Sequence, residues 1–487
     1  MTPPRRQLGL LITAAIVIAN MVGTGVFTST GFQAVSLHDP WTILVAWAVG
    51  GALALCGAAA YAELGAMMPE AGGEYVYLRK AYHPVVGFLS GWVSLTAGFS
   101  APIAFAALAF ARYASKLFPA LQSQDAWAKL SITIAHHHLV NVTIGVQQIL
   151  AIVLILTITS LHSFDTRLGG WVQAVFTAAK VLLIVGFIAG GLLAGHGDWS
   201  HLAPERGGLA NIGTHNFAIA LMYVSFAYSG WNAAAYLAGE IRKPEETLPR
   251  ALFLGTGIVM ALYFLLNLVF FYAVPSDALA GATGGGPVFE VGDLAARALF
   301  GDTAGGLISA VIALALVSAV SAMVMAGPRV YAAMATARAL PRPLARYGRR
   351  GVPTVAVIAQ GVLGCVFATV GDPDVLIRFA GFTLAIFAAL TVGALFVFRA
   401  RGLRGPYKMI GYPVTPIAFI ALSAWIAYAQ IDEHPKESII VGIVLGIGGL
   451  WYGLFGRGNA RPVGSAPEAL IDALPEARVV GGRSNPP

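Results

Sequence analysis

Apolar residues occur along this chain in long blocks rather than at a strand or amphipathic-helix period. From Leu8 to Val35 the block is interrupted only by glycines, hydroxyls and two amides (LGLLITAAIVIANMVGTGVFTSTGFQAV). Twelve blocks reach the roughly 20 residues a helix needs to cross a bilayer. They lie at about 9–35, 41–67, 84–115, 140–162, 170–195, 213–239, 251–274, 303–335, 352–371, 374–398, 412–431 and 437–456. A spanning chain must satisfy its own backbone, and barrels show short alternating strands instead, so helix is the assignment for each. Turn signals such as HDP, GDPD and GYP punctuate the blocks. The expected architecture is an all-α integral membrane protein of 12 transmembrane helices.

Two blocks are weakened at mid-depth. The first contains Gly23-Thr24-Gly25, and each glycine costs about 1 kcal/mol relative to alanine in a helix interior. The sixth contains Ser229-Gly230 within FAYSGWN. The two blocks stand five apart, the spacing of an inverted repeat whose binding site lies where the first helix of each half is interrupted. Repeat one is then about 9–195, repeat two about 213–398, and two extra helices fill 412–456. Unwinding bares N–H groups at the start of one half-helix, where the dipole favours an anion, and carbonyls at the end of the other, which favour a cation. Gly23, Thr24 and Gly25 are thus candidates for a carboxylate. Carbonyls around Ala19, Asn20 and Val22, and around Phe226, Ala227 and Ser229, are candidates for an ammonium. An α-amino acid carries both charges.

Charge adds orientation. Only 11% of the 487 residues are charged and 57% are hydrophobic, against about 25% charged in soluble domains. Placing both termini in the cytoplasm puts 22 of the 30 Lys and Arg on that side, seven outside, and Lys180 within a span. The net charge of +7 follows from this asymmetry and implies no nucleic-acid partner. The first block lacks a cleavage signature and is read as a retained span after a cytoplasmic N-terminus of residues 1–8. Residues 457–487, rich in Pro, Gly and Ser, are expected to be a disordered cytoplasmic tail. Cys56 and Cys365 fall inside apolar blocks and read as small hydrophobes. AHHHL (135–139) is expected in an outside loop, next to the sequon NVT (141–143). No HExxH, GxSxG or paired intramembrane His or Asp occurs, so neither an enzyme nor a cofactor or metal is expected. A channel would need a symmetric filter.

Several stretches carry a family resemblance. GTGVF (23–27), AELGAMMPEAGGEYVYLRKAY (62–82), FTAAK (176–180), FAYSGWN (226–232), GEIRKPEETLPRA (239–251) and GYPVTP (411–416) together resemble the amino acid–polyamine–organocation superfamily. The resemblance covers residues 8 to about 456 and is strongest to the L-type, sodium-independent branch and its bacterial relatives. It implies a LeuT-like fold of five plus five inverted helices, with helices 1 and 6 discontinuous, and alternating access around a central amino acid. It implies that Thr24 and Gly25 contact the carboxylate, that Phe226 is an aromatic lid, and that Ser229 and Asn232 lie near the site.

Lys180 stands alone in the apolar block from Gly169 to Ala194. An intramembrane lysine is a functional hypothesis by default, and its mid-span position disfavours snorkelling to an interface. The resemblance places it where sodium-coupled relatives hold an ion, tied to carbonyls near Val22–Gly23 and to hydroxyls of Ser318 or Ser321. A fixed ammonium there predicts sodium-independent transport. The same group is also a candidate carrier of a coupled proton, so exchange and proton symport both stay open. Glu63 and Glu240, near cytoplasmic helix ends, are expected to form gating or anchoring contacts with basic residues. Trp231 reads as packing.

With no carboxylate or base other than Lys180 expected at the midplane, a neutral amino acid is the expected substrate, small or branched. A carrier of cationic amino acids or polyamines is the second reading, favoured if Glu63 lines the path. A sensor that binds amino acid without moving it is the third. The chain is expected in the cell (plasma or inner) membrane, without the disulfide-linked heavy chain of eukaryotic relatives.

Overall fold

The computed structural model describes residues 8–456 apart from 70–71, 119–120, 122–125, 135–136, 165, 205–207, 282–285, 349–350 and 371. The expected tail at 457–487, residues 1–7, and the first two residues of the AHHHL stretch lie outside the described residues. The chain runs through α1 (Leu10–Met21), α2 (Gly25–Leu37), α3 (Pro40–Met67), α4 (Glu74–Ala81) and α5 (Pro84–Val93). After a π-helical turn at Ser94–Ser100 come α6 (Ala101–Leu117) and a hairpin of β1 (Ala126–Ile134) and β2 (His137–Gly145). Next are α7 (Val146–Phe164), α8 (Thr166–Ala194), α9 (His215–Ala227), α10 (Ala233–Tyr236), α11 (Pro244–Ala273) and α12 (Ser276–Leu279). The last five helices are α13 (Val291–Thr336), α14 (Thr354–Thr369), α15 (Pro373–Ala400), α16 (Val414–Glu433) and α17 (Pro435–Trp451).

Among the described residues, ten helical stretches are long and apolar enough to cross a membrane, with α1–α2 and α5–α6 each forming one. Two shorter apolar helices, α9 and α14, fall in the blocks at 213–239 and 352–371. Outward-facing side chains are apolar: Leu182, Leu193 and Leu450 are 71%, 87% and 70% exposed. Water-soluble proteins seldom present such a surface around their whole girth, so this is a multi-pass membrane protein.

Local chemistry sets many of the ends. Asp39 accepts the Thr42 N–H at 2.7 Å and Pro40 occupies the first helical position, which starts α3. Thr214 accepts the Phe217 N–H at 3.3 Å and starts α9. Gly301 (φ +80°) interrupts α13, so the block read as 303–335 is the part after this glycine. The hairpin corrects the all-helical expectation. Its second strand takes up residues assigned to the start of the fourth block, and α7 begins at Val146 rather than near 140. Consecutive β-branched Val142, Thr143 and Ile144 favour extended chain over helix, with Leu130 paired to Val142 and Lys129 to Thr143.

Small residues let the helices approach closely. α1 and α3 pack along α11, α6 along α13, and α2 along α9. A side chain at Gly57 of α3 would meet the Trp231 ring at 2.7 Å. At one end of the bundle Arg399 of α15 donates to both oxygens of Glu63 at 2.9 and 2.6 Å, and the Met409 N–H adds a third bond at 2.7 Å. Glu63 is 1% exposed. Taking away one member of a buried pair costs about 3–5 kcal/mol because the other charge is left uncompensated. Glu63→Ala is therefore expected to lower the thermal unfolding midpoint in detergent by several degrees; an unchanged midpoint would show that the pair does not hold α3 to α15.

Candidate functional site

The block at 9–35 is two helices. α1 ends at Met21, Val22 turns extended (φ −72°, ψ 93°), and α2 starts at Gly25. Its carbonyl end collects donors. Lys180 of α8 donates to Ala19 O at 3.1 Å and to Val22 O at 2.8 Å, and Tyr263 of α11 donates to Met21 O at 2.6 Å. Lys180 is 2% exposed and Tyr263 fully buried. The last carbonyls of a helix lack intrahelical partners and carry the negative end of its dipole, which is where an ammonium is stabilised. The other side of the break is the N-terminus of α2. No side chain caps it; the Thr24 carbonyl instead accepts from the Thr28 hydroxyl at 3.0 Å.

The sixth block is interrupted as well. α9 ends at Ala227, the chain turns through Gly230 (φ +100°), and α10 resumes at Ala233. The Ser229 N–H donates to Phe226 O and the Ala233 N–H to Gly230 O, at 2.9 and 3.0 Å. The two interruptions touch. A Cβ on Gly25 would fall 2.5 Å from the Ala227 Cα, and one on Gly230 would fall 2.6 Å from Asn20 O. A Cβ on Gly23 would meet nothing closer than 3.7 Å. Gly25 thus serves backbone contact between the two breaks, and in this conformation Ala227 covers the α2 terminus.

A cavity of about 100 Å³ opens beside the breaks. Of the expected binding residues, Asn20, Ser229 and Asn232 line it, whereas Ala19, Val22, Gly23, Thr24, Gly25, Phe226 and Ala227 do not. The π-helical turn contributes Ser94, Gly98 and Phe99, a distortion found often at functional sites. Before the second break, α9 packs into a row of aromatics. Phe226 meets Phe105 edge-on at 5.5 Å, Phe105 meets Phe289 at 5.7 Å, Phe289 meets Phe32 at 6.2 Å, and Phe32 stacks on Tyr223 at 5.3 Å. Tyr223 then donates to Asp374 at 2.6 Å, which Arg378 also binds at 2.7 Å.

On the α10 side lies a residue that sequence reasoning passed over. Glu74, the first residue of α4, is 4% exposed and borders the cavity. It accepts from Tyr61 at 2.5 Å and from Asn232 at 2.7 Å, and Asn232 also donates to Tyr236 at 3.0 Å. Burial pushes its carboxyl above the ordinary value, and the bonds from Tyr61, Asn232 and Tyr236 pull it back. In sequence it is one acid in a polar loop; the flanking GG and the tyrosines of EYVY are the signal that it is held inside.

The remaining candidates are dispersed. Ser321 is hydrogen bonded to His162 at 2.7 Å, and the buried Ser318 hydroxyl has no partner among the described residues. Neither is bonded to Lys180, whose two bonds run to main-chain carbonyls. α13 does approach the break, since Ala319 is the nearest neighbour of Gly23. Glu63 is engaged by Arg399 away from the cavity, and Glu240 pairs with Arg329 at 3.1 Å. Trp231 is 7% exposed, packs on Tyr61 at 4.6 Å and forms part of the cavity wall.

Two broken apolar helices held face to face beside a cavity, inside a many-helix membrane bundle, define a secondary transporter rather than an enzyme. The chain belongs to the amino acid permease family, whose model matches residues 8–448. It is similar to the serine/threonine exchanger SteT of Bacillus subtilis, 29% identical over 92% of this chain and 97% of that one. It is similar also to human b(0,+)-type amino acid transporter 1, 28% identical over 97% and 94% of the two chains. Human large neutral amino acids transporter small subunit 2 is 25% identical over 91% and 78%. The protein is an amino acid transporter.

The contacts of the glycines make their roles separable. Gly25→Ala and Gly230→Ala each force backbone apart and should yield protein that is poorly folded or inactive in uptake. Gly23→Ala should purify and unfold like wild type. Equal tolerance at all three positions would contradict close contact between the breaks.

Proposed function

We propose that the protein is a sodium-independent exchanger of small neutral L-amino acids that works by alternating access. In this reading twelve spans form two inverted repeats of five plus two extra helices, and both termini face the cytoplasm. The observation that carries it is the Lys180 ammonium on the Ala19 and Val22 carbonyls. It supplies a fixed positive charge at the carbonyl end of a helix broken inside the membrane, so no mobile cation is needed to hold that end together. The substrate carboxylate would take the N-terminus of α2 at Thr24 and Gly25 once Ala227 withdraws. The substrate ammonium would take carbonyls of the α9 end near Phe226–Ser229.

Substrate size is read from the cavity. About 100 Å³ is less than the roughly 150 Å³ cavity that accepts benzene, which favours a small side chain over an aromatic one. Exchange as the mode, and serine or threonine as the first substrates to try, draw support from the similarity to the serine/threonine exchanger. The aromatic stack from Phe226 to Tyr223 acts as the closed outer gate, with Phe226 as lid. Glu63–Arg399 and Glu240–Arg329 are inner anchors. A carrier of cationic amino acids is the second reading, favoured by the Glu74 carboxylate in the cavity wall; donors already converge on it, so the neutral substrate stands first. Cys56 and Cys365 lie within α3 and α14, and a disulfide-linked partner forms no part of the proposal.

Purified protein in vesicles loaded with unlabelled serine should take up labelled serine several-fold faster than in empty vesicles. The rate should be unchanged when choline replaces external sodium, and lysine or arginine should compete weakly. Lys180→Ala removes two charge-assisted hydrogen bonds of about 1.5–3 kcal/mol each, so uptake should fall about tenfold or more in protein that still elutes as a single species. Collapse of uptake without sodium, or wild-type rates in Lys180→Ala, would overturn the proposal.

A further inference from the structure

Glu74 is buried, borders the cavity, and lies within ion-pair distance of no Lys, Arg or His among the described residues. A carboxylate without a countercharge in such a place is expensive. A first-turn acid normally gains its helix-dipole benefit while exposed to water, so capping α4 does not require this burial. What the burial provides is convergence. Tyr61 comes from α3, Asn232 from the interruption after α9, and Glu74 itself from α4, and all three meet on one oxygen at 2.5 and 2.7 Å. Tyr236 of α10 joins the cluster, bonded to Asn232 and to the Glu74 carboxyl.

The loop before α4 is shaped to deliver this side chain. Gly72 and Gly73 have φ of +117° and +48°, and a Cβ on Gly73 would strike the Tyr236 ring at 2.5 Å. The Gly72 N–H reaches the Tyr236 carbonyl at 3.4 Å. On the other side of Asn232, Gly230 rests on the Asn20 carbonyl at the end of α1. A continuous set of contacts therefore runs from α4 through Glu74 and Asn232 to both interruptions.

We propose that Glu74 is a positioning residue for transport: through its hydrogen bond to Asn232 it fixes the path of the chain between α9 and α10, and so the geometry of the substrate site. It need not touch the substrate. The inference rests on the amino acid carrier reading, but it is tested by the coupling between two residues rather than by activity alone.

The test is a double-mutant cycle in serine-loaded vesicles, repeated on serine affinity measured by thermal shift of the purified protein. Glu74→Ala and Asn232→Ala should each slow exchange about tenfold, the scale of one charge-assisted hydrogen bond. The double variant should be no slower than the worse single variant, because both changes remove the same bond. Glu74→Gln keeps an acceptor oxygen and should return exchange to within about threefold of wild type. Additive losses, about a hundredfold in the double variant, would show that Glu74 acts independently of Asn232. A Glu74→Gln variant as slow as Glu74→Ala would show that charge rather than positioning matters. Either result overturns the proposal. Should wild-type vesicles show no exchange while serine still shifts the unfolding midpoint, the carrier reading fails, and the cycle is still read on affinity.

Discussion

The structure depends on what happens to main-chain groups when a helix is opened inside a membrane. Each unpaired carbonyl or N–H there costs several kcal/mol, so a break persists only where other groups satisfy it. Lys180 and Tyr263 do this for α1, binding the carbonyls of Ala19, Val22 and Met21. One ammonium on two carbonyls also neutralises the negative end of the α1 dipole. With that end held, the opposite side of the gap is left as an uncapped helix N-terminus, the polar element a carboxylate needs.

The second break is held differently. A tight turn at Gly230, backbone contact with Asn20, and the amide of Asn232 on the Glu74 carboxylate fix it. Phe226 and its aromatic neighbours lie before this break and the Glu74 cluster after it. Aromatic packing thus lies on one side of this break and a hydrogen-bonded carboxylate on the other, two contacts with different physics. Aromatic stacking tolerates sliding, whereas a carboxylate–amide bond is either made or broken.

How much of this could be read from the sequence depended on whether a residue stood out in its surroundings. Gly23, Gly25 and Gly230 are visible because glycine is costly in a helix, and Lys180 because charge is rare in an apolar block. Contacts set by three-dimensional approach were not visible. Nothing in the sequence says that Gly25 makes room for Ala227, or that Ser321 turns to His162 and leaves Lys180 to carbonyls alone. Glu74 was hidden by its polar neighbours, which read as an ordinary loop. The hairpin at 126–145 was hidden for the reverse reason, since its β-branched residues blend into the apolar block that follows.

The proposed mode of recognition requires main-chain dipoles to grip both ends of a zwitterion. The most direct measurement is calorimetric titration of the purified protein with L-serine, its methyl ester, and the acid lacking the α-amino group. Serine should bind, and neither analogue should bind measurably, since each leaves one bared end of a broken helix without its charge. An ester or a deaminated acid that binds as tightly as serine would contradict it.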